Sequence, residues 1–480
     1  KGDVMVYNGA VYDIMVQWNI TKNLDTIKLC NVLNTDIAYV RKKLDEIKRT
    51  TPNKPTPFVK LLDPQSFARF QEHLYEFPSF SYITRTVRRY PYQSGAAVFG
   101  YLSEVTENNI AQSSGFYELG DYIGTTGIEQ FYDSLLRGEK GYNYQVVDVK
   151  NTYKGKYKEG KEDVVPVAGW DMVSGLDAEL QAYGEKLMQG KVGGIVAIDP
   201  STGEILAYVS SPSYDPNLLT GRYRRHNFNV LFKDFYKPLL NRPIQAMYPP
   251  GSTFKAAVAL AMLEQKIHPY NWHWFCPGGY RVGSHTVNCH GSHAIPDVQT
   301  ALQHSCNSYF CKVYNDFIMD STFKAPSIGY QKWWDLMSRF GHGKKLGIDI
   351  KGEKKANLPT VKYYNKIFGE GKWKASTVIS NSIGQGEVLS TPLQIANVMA
   401  LIANKGFYYT PKVCRYLIKG NQKRIPIIEK HETGIDTMYY RFVIDGLEKV
   451  VQAGTARIAQ IPDITFCGKT GTAQNPHGKD

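Results

Sequence analysis

The run Ala256-Ala257-Val258-Ala259-Leu260-Ala261-Met262-Leu263 is apolar on every face. A helix with that pattern offers no side to water, so other elements must enclose it. Its alanines and leucines are strong helix formers. Pro249-Pro250-Gly251 stops whatever precedes it. Between the stop and the run stand Ser252, Thr253, Phe254 and Lys255. The chain therefore needs a core that can surround one helix, and it carries a hydroxyl and an amine to the rim of that core. Its 480 residues exceed one ordinary core, so two or more domains are expected.

Ser252 should sit at the first turn of this helix, where free N–H groups and the helix dipole favour developing negative charge. Lys255, three residues on, shares its face. Burial disfavours the charged form of a lysine, so Lys255 can act as a base toward the serine. The tetrapeptide Ser-Thr-Phe-Lys occurs a second time, from Ser321 to Lys324. There Asp320 precedes it and Ala325-Pro326 follows, so Asp320 or Ser321 reads as an ordinary cap or turn residue.

Two further motifs favour the first copy. Ser305-Cys306-Asn307 is the only Ser-x-Asn and precedes a helix-like run. Lys469-Thr470-Gly471 is the only Lys-Thr-Gly, and the β-branched stretch from Ile461 to Phe466 predicts that it lies on or beside a strand. Alone, Ser305 reads as a helix cap and Lys469-Thr470-Gly471 as a strand end. In the order Ser-x-x-Lys, Ser-x-Asn, Lys-Thr-Gly they form a set used for serine acylation. Ser305 can relay a proton between Lys255 and a leaving amine, and Asn307 can bond a substrate amide. Lys469 holds the other lysine's pKa down and attracts a carboxylate. Thr470 and Thr472 offer hydroxyls to that carboxylate, and Gly471 lets a peptide backbone approach. The N–H groups of Ser252 and Thr472 are the candidate oxyanion donors.

Elsewhere the reading is coarser. Val4-Met5-Val6-Tyr7 reads as strand, and Asp36 to Lys48 has helical spacing. Thr51 to Pro57 is a Pro-rich turn, and the Lys/Gly-rich stretch from Asn151 to Asp163 is a hairpin or linker. Asp177 to Leu187 predicts an amphipathic helix. Gly194 to Ile198 and Glu204 to Val209 predict two strands joined through Asp199-Pro200-Ser201-Thr202-Gly203. The domain boundary is expected near residue 165, giving domains 1–165 and 166–480.

The net charge is +13. The lysines are scattered, as in Lys344-Lys345 and Lys354-Lys355, which reads as solvated surface and gives no nucleic-acid partner. No apolar run approaches the roughly 18 residues that span a membrane.

These motifs make the chain resemble the class B penicillin-binding proteins, and the resemblance runs nearly its whole length. In the first half it rests on Arg89-Tyr90-Pro91-Tyr92, Gly100-Tyr101-Leu102-Ser103, Gly124-Thr125-Thr126-Gly127-Ile128-Glu129, Leu136-Arg137-Gly138 and Gly141. In the second half it rests on Asp199 to Ala207, Ser211 to Asn217, Gly384-Gln385-Gly386 and Thr391-Pro392-Leu393-Gln394. Tyr214-Asp215-Pro216-Asn217 and Thr126-Gly127-Ile128-Glu129 look most like the elongation-type enzymes, with the septal type as the nearer alternative.

The resemblance implies an α+β fold. A β-lactamase/transpeptidase-like domain, a five-stranded mainly antiparallel sheet with helices on both faces, stands on an elongated N-terminal pedestal. It implies a D,D-transpeptidase that takes peptidoglycan stem peptides through an acyl-enzyme on Ser252, is acylated by β-lactams and requires no cofactor. It implies a RodA-like membrane glycosyltransferase and the elongation scaffold as partners. Family members carry a transmembrane anchor before the segment that begins here, with the catalytic domain on the periplasmic side, and continue past Lys-Thr-Gly. Both pieces are expected to lie outside this chain. A serine β-lactamase or β-lactam sensor, and a non-catalytic scaffold, are weaker alternatives; no Glu-x-x-x-Asn deacylation motif stands out.

Between the first two motifs lie Cys276, His285, Cys289, His290 and His293. Cys276, Cys289, His290 and His293 are candidate ligands of a structural zinc. A Cys276–Cys289 disulfide and a loop of unrelated histidines are the other readings, since no spacing matches a standard zinc template.

Overall fold

The computed structural model describes residues 2–149 and 153–473. They divide into two compact units. One lies within Lys1–Met172, Pro212–Leu239 and Leu417–Lys423, the other within Val173–Ser211, Leu240–Tyr416 and Arg424–Asp480.

The first unit is organised on β1 (Tyr7–Val16), α1 (Thr26–Leu33), α2 (Ile37–Thr50), β2 (Thr56–Leu62), α3 (Pro64–Glu72) and β3 (Phe80–Arg89). The strands form an antiparallel sheet in the order β2-β1-β3. Apolar residues of β1 and the helices, among them Ile14, Val16, Leu29, Val40, Leu44 and Phe70, close one core. The helix read from Asp36 begins one residue later, because the Asp36 carboxylate is its cap and accepts from Ala38 N and Tyr39 N at 3.0 and 3.2 Å. The strand read from Val4 starts only at Tyr7. Tyr7 is opposite Arg89, the last residue of β3, so Val4 to Val6 have no ladder partner there. In the Lys/Gly-rich stretch, Tyr153–Lys156 pairs antiparallel with Gln145–Val147. Residues 150–152 lie outside the described residues.

The second unit opens with α4 (Ala178–Leu187), capped by Asp177, whose carboxylate accepts from Leu180 N at 3.0 Å. Strands β4 (Gly193–Ile198) and β5 (Ile205–Ser211) follow as the antiparallel pair read from the sequence. Asp199 closes their turn by accepting from Ser201 N at 2.9 Å. Among the described residues this sheet shows two strands, β5-β4, of the five expected. The stretch from Ile461 to Phe466 is not a strand. Its residues 461–465 are exposed, and its backbone folds into a turn with an Ile461–Ile464 bridge instead of meeting a neighbouring strand.

The remaining elements that build the site are α5 (Lys255–Glu264), β6 (Trp274–Val282), β7 (His285–Ile295), α6 (Val298–Gln303), α7 (Asn307–Ile318), α8 (Pro326–Arg339), α9 (Pro392–Ala403) and α10 (Thr437–Ala453). Helix α5 is enclosed as its composition requires: every residue from Lys255 to Leu263 is buried. It packs among α7, α8 and α10.

Candidate active site

Ser252 does not lie inside α5. It lies in a 3-10 turn, Gly251–Phe254, that feeds directly into the helix. A 3-10 turn eclipses residues i and i+3, which keeps Ser252 and Lys255 on one side. Gly251 makes the turn possible. Its φ is +56°, and a Cβ there would sit 2.4 Å from the carbonyl oxygen of Thr472. Gly251 N also donates to Gly384 O at 2.8 Å, so Gly384 anchors the turn from behind.

Lys255 is fully buried. Its Nζ donates to Ser305 O at 2.7 Å, to Asn307 Oδ1 at 2.6 Å and to Ser305 Oγ at 3.1 Å. Burial pulls its pKa down to about 8. Lys469 approaches from the other side, and its Nζ donates to Ser305 Oγ at 2.9 Å and to Thr470 Oγ1 at 3.2 Å. Burial, then the charge of Lys255, bring Lys469 down to about 7. Thr470 Oγ1 is bonded in turn to Thr455 Oγ1 at 2.8 Å. Gly471 packs on Thr253, where a Cβ would come within 3.2 Å of the threonine methyl.

The three motifs read from the sequence therefore meet at one point. Lys255, Ser305, Asn307, Lys469 and Thr470 are joined there by hydrogen bonds, Ser252 lies one 3-10 turn before Lys255, Gly471 packs on Thr253, and the Thr472 backbone lies against Gly251. Two details differ from expectation. Cys306, not Ser305, caps α7, its Sγ accepting from Tyr309 N at 3.4 Å. Ser305 is thereby free to face the lysines, with its backbone at φ +50°. Asn307 is engaged at both ends of its amide: Oδ1 accepts from Lys255, and Nδ2 donates one N–H to Asn288 O at 2.7 Å. In this arrangement it fixes the lysine and keeps its second N–H and second lone pair for another partner. Asn288, Gly384 and Thr455 carried no motif signal of their own; only the Gly-Gln-Gly match hinted at Gly384.

The second Ser-Thr-Phe-Lys lies apart. Ser321 and Lys324 are exposed in a turn where Asp320 accepts from Thr322 N at 2.8 Å.

Chemically, a buried amine of lowered pKa beside a hydroxyl is a base with a relay. A neutral lysine can accept the Ser305 proton while Ser305 Oγ accepts from the second lysine.

The Cys–His patch also condenses, in altered form. Cys276, Cys289, His293 and Cys306 bring their ligand atoms within 4.8 Å of one another. Strand alternation explains the selection. Cys289 and His293, four apart on β7, share a face, and Cys276 is the register partner of His293. His290 falls on the opposite face and is exposed. His285 lies at the far end of the hairpin, opposite Val282. The fourth member, Cys306, comes from the cap of α7, which is why no local spacing revealed it. Three thiols and an imidazole are the donor set of a tetrahedral Cys₃His zinc site. The buried Nε2 of His293 has no hydrogen-bond partner, and the hydrogen bond with the Cys306 thiol, helped by backbone N–H groups, holds the Cys289 thiol well below its usual range, as a metal ligand requires. The Sγ atoms of Cys276, Cys289 and Cys306 are free thiols.

Residues 193–480 match the penicillin binding protein transpeptidase domain, and residues 1–173 the penicillin-binding protein dimerisation domain. The peptidoglycan D,D-transpeptidase MrdA of Escherichia coli (strain K12) is 30% identical over 99% of this chain and 75% of its own length. The crystal structure of Pseudomonas aeruginosa PBP2 in complex with WCK 5153 is 31% identical over 81% of each chain, with a TM-score of 0.66. A Helicobacter pylori PBP2 solved with MreC has a TM-score of 0.80 over 98% of this chain and 86% of that one; at 24% identity it speaks for the fold.

Proposed function

This chain belongs to the class B penicillin-binding proteins and is a peptidoglycan D,D-transpeptidase of the elongation type, and on that footing we propose that Ser252 is its nucleophile and Lys255 its general base. The observation that carries the proposal is Ser305 Oγ held between the amines of Lys255 and Lys469.

Ser252 Oγ attacks the carbonyl of the penultimate D-Ala of a donor stem peptide and gives its proton to neutral Lys255. The N–H groups of Ser252 and Thr472 receive the oxyanion. The carbon–nitrogen bond then breaks, and the leaving D-Ala amine takes a proton through Ser305 from the lysine pair. The amine of a second stem attacks the ester, loses a proton to the same relay, and returns Ser252 to its hydroxyl. Lys469 with the hydroxyls of Thr470 and Thr472 receives the donor's terminal carboxylate, and Gly471 leaves room for its backbone. Asn307 holds Lys255 in place. A β-lactam follows the same first step and stops at the ester. Intact-mass spectrometry after benzylpenicillin tests the assignment: one adduct on the wild type and on Ser321→Ala, none on Ser252→Ala. An adduct on Ser252→Ala sinks it.

In this reading residues 1–165 are the pedestal and 166–480 the catalytic domain. No helix among the described residues is long and apolar enough to cross a membrane. The reading places the site on the periplasmic side. A RodA-like glycosyltransferase and an MreC-like scaffold are its partners, the latter suggested by the Helicobacter pylori complex. Co-purification with each tests this.

The Cys276, Cys289, His293 and Cys306 set holds one structural zinc, which supplies a brace between β7 and α7 and takes no part in acyl transfer. Metal analysis should find about one zinc per chain, lost in His293→Ala and kept in His290→Ala. Metal-free wild type removes this part of the proposal.

A further inference from the structure

Cys306 is the one member of Ser305-Cys306-Asn307 that the acylation chemistry leaves idle, and it stands between two that the chemistry uses. Its Sγ lies 3.9 Å from the Sγ of Cys289. Cys289 follows Asn288, whose carbonyl accepts from Asn307 Nδ2. Each thiol is thus one residue from an end of the hydrogen bond that fixes Asn307. Asn307 Oδ1, Ser305 O and Ser305 Oγ together fix Lys255.

A disulfide requires sulfurs about 2.05 Å apart, so bonding this pair would close the gap by nearly 2 Å. Strand β7 is pinned in register against β6 on both sides of Cys289, by Gly279–Asn288 and by Cys276–His293. Cys306 sits in the short turn between α6 and α7, next to Ser305 in a left-handed conformation. Cys289 itself lies in the bulge between the Gly279–Asn288 and Pro277–Ser292 pairs, so closing the gap also shifts Asn288 O, the partner of Asn307 Nδ2. Moving Cys306 withdraws the cap from Tyr309 N and carries Ser305 and Asn307 with it.

We propose that Cys289 and Cys306 are an oxidisable pair whose disulfide shuts off serine acylation by drawing Ser305 and Asn307 away from Lys255. The inference rests on reading those residues as the holding set of the catalytic base. The oxidant is a small-molecule or protein disulfide. The Cys289 thiolate attacks one of its sulfurs and releases a thiol, and Cys306 then attacks the mixed disulfide and releases the second. Two electrons and two protons pass to the oxidant. Bound metal ties up both sulfurs, so the pair opens to oxidation when the metal leaves.

The test takes the whole chain stripped of metal with a chelator, half kept reduced and half treated with oxidised glutathione. The oxidised half should lose about 2 Da, as two thiol hydrogens leave. Peptide mapping should place the bond at Cys289–Cys306. Acylation by a fluorescent penicillin should slow about 100-fold relative to the reduced, metal-free half, the scale of a displacement near 1 Å at a catalytic group. Dithiothreitol should restore it. Cys289→Ser, whatever its own rate, should show no further slowing with oxidant. A mapped Cys289–Cys306 bond with unchanged acylation overturns the proposal, as does a Cys276–Cys289 bond in its place. Failure of the nucleophile assignment shows separately, as acylation of Ser252→Ala.

Discussion

Lys255 and Lys469 meet at one atom, Ser305 Oγ, which lies 3.1 Å from the first amine and 2.9 Å from the second. The two lone pairs of that hydroxyl can accept from both amines, but two ammonium groups held on one atom repel. Burial and proximity both oppose the doubly charged state, bringing Lys255 to about 8 and Lys469 to about 7. Because the amines interact, the observable steps belong to the pair.

Acylation needs Lys255 neutral, so its second-order rate constant with a penicillin should climb through about pH 8 and level off about one unit above it. Lys469→Arg keeps a charge that does not titrate in this range, so the rise should collapse to one step. A rate that is flat from pH 6 to 9 in the wild type would show that neither lysine is the base.

The close approach of Gly251 to Thr472 gives a steric prediction. Gly251→Ala must relax a φ of +56° and a 2.4 Å clash with backbone; Gly384→Ala faces a 2.5 Å clash with Gly251 O. Gly221 has a similar φ of +66° but nothing within 4 Å of a built Cβ. Gly221→Ala should therefore cost only the left-handed strain, about 1 kcal/mol. Gly251→Ala and Gly384→Ala should each cost several times that in thermal unfolding and abolish penicillin acylation. Equal losses for all three would mean the clashes are relieved cheaply.

How much of this was legible in the sequence depends on the range of the contact. Helix α5 announced itself through composition alone, and Asp36 and Asp177 announced their helices through local capping chemistry. The motif residues were legible because their order is a signature. What stayed hidden are relations that only folding creates. Cys306 joins Cys276, Cys289 and His293 because a hairpin lies against a helix cap, a juxtaposition with no periodicity to betray it. Asn307 turned out to hold Lys255 because a backbone carbonyl, Asn288 O, occupies its other end, and backbone partners leave no trace in side-chain patterns. The turn at Ile461–Ile464 defeated β propensity, since branched residues favour strands only where a neighbour exists to pair with.

Asn307→Asp separates holding from catalysis. The carboxylate keeps an acceptor at the 2.6 Å contact with Lys255 but adds a negative charge that favours the ammonium. The pH at which acylation rises should move up by about one unit or more, with the plateau less affected. Asn307→Ala removes both bonds and should lower the plateau itself. A pH profile for Asn307→Asp that overlays the wild type would mean that the residue does not contact the base.

His342 gives a stability prediction with a definite sign. Its ring packs edge-on against Phe254, at 4.8 Å between centroids, inside the turn that carries Ser252. Nδ1 contacts Ser390 Oγ at 2.9 Å, while buried Nε2 has no partner. Burial lowers its pKa to about 4 from 6.5. The folded protein thus refuses a proton that the unfolded chain accepts below pH 6.5. Stability is complete above that value and drains as pH falls, by about 1.4 kcal/mol per unit, until the folded pKa is reached, for a total of roughly 3 kcal/mol. Other groups titrate in the same window, so the useful quantity is a difference. The unfolding free energy of wild type minus that of His342→Gln, followed by denaturant titration from pH 7 to 4.5, should shrink steadily on acidification, because glutamine takes no proton in either state. Parallel curves would mean that His342 accepts its proton in place and that the turn bearing Ser252 tolerates a charge against Phe254.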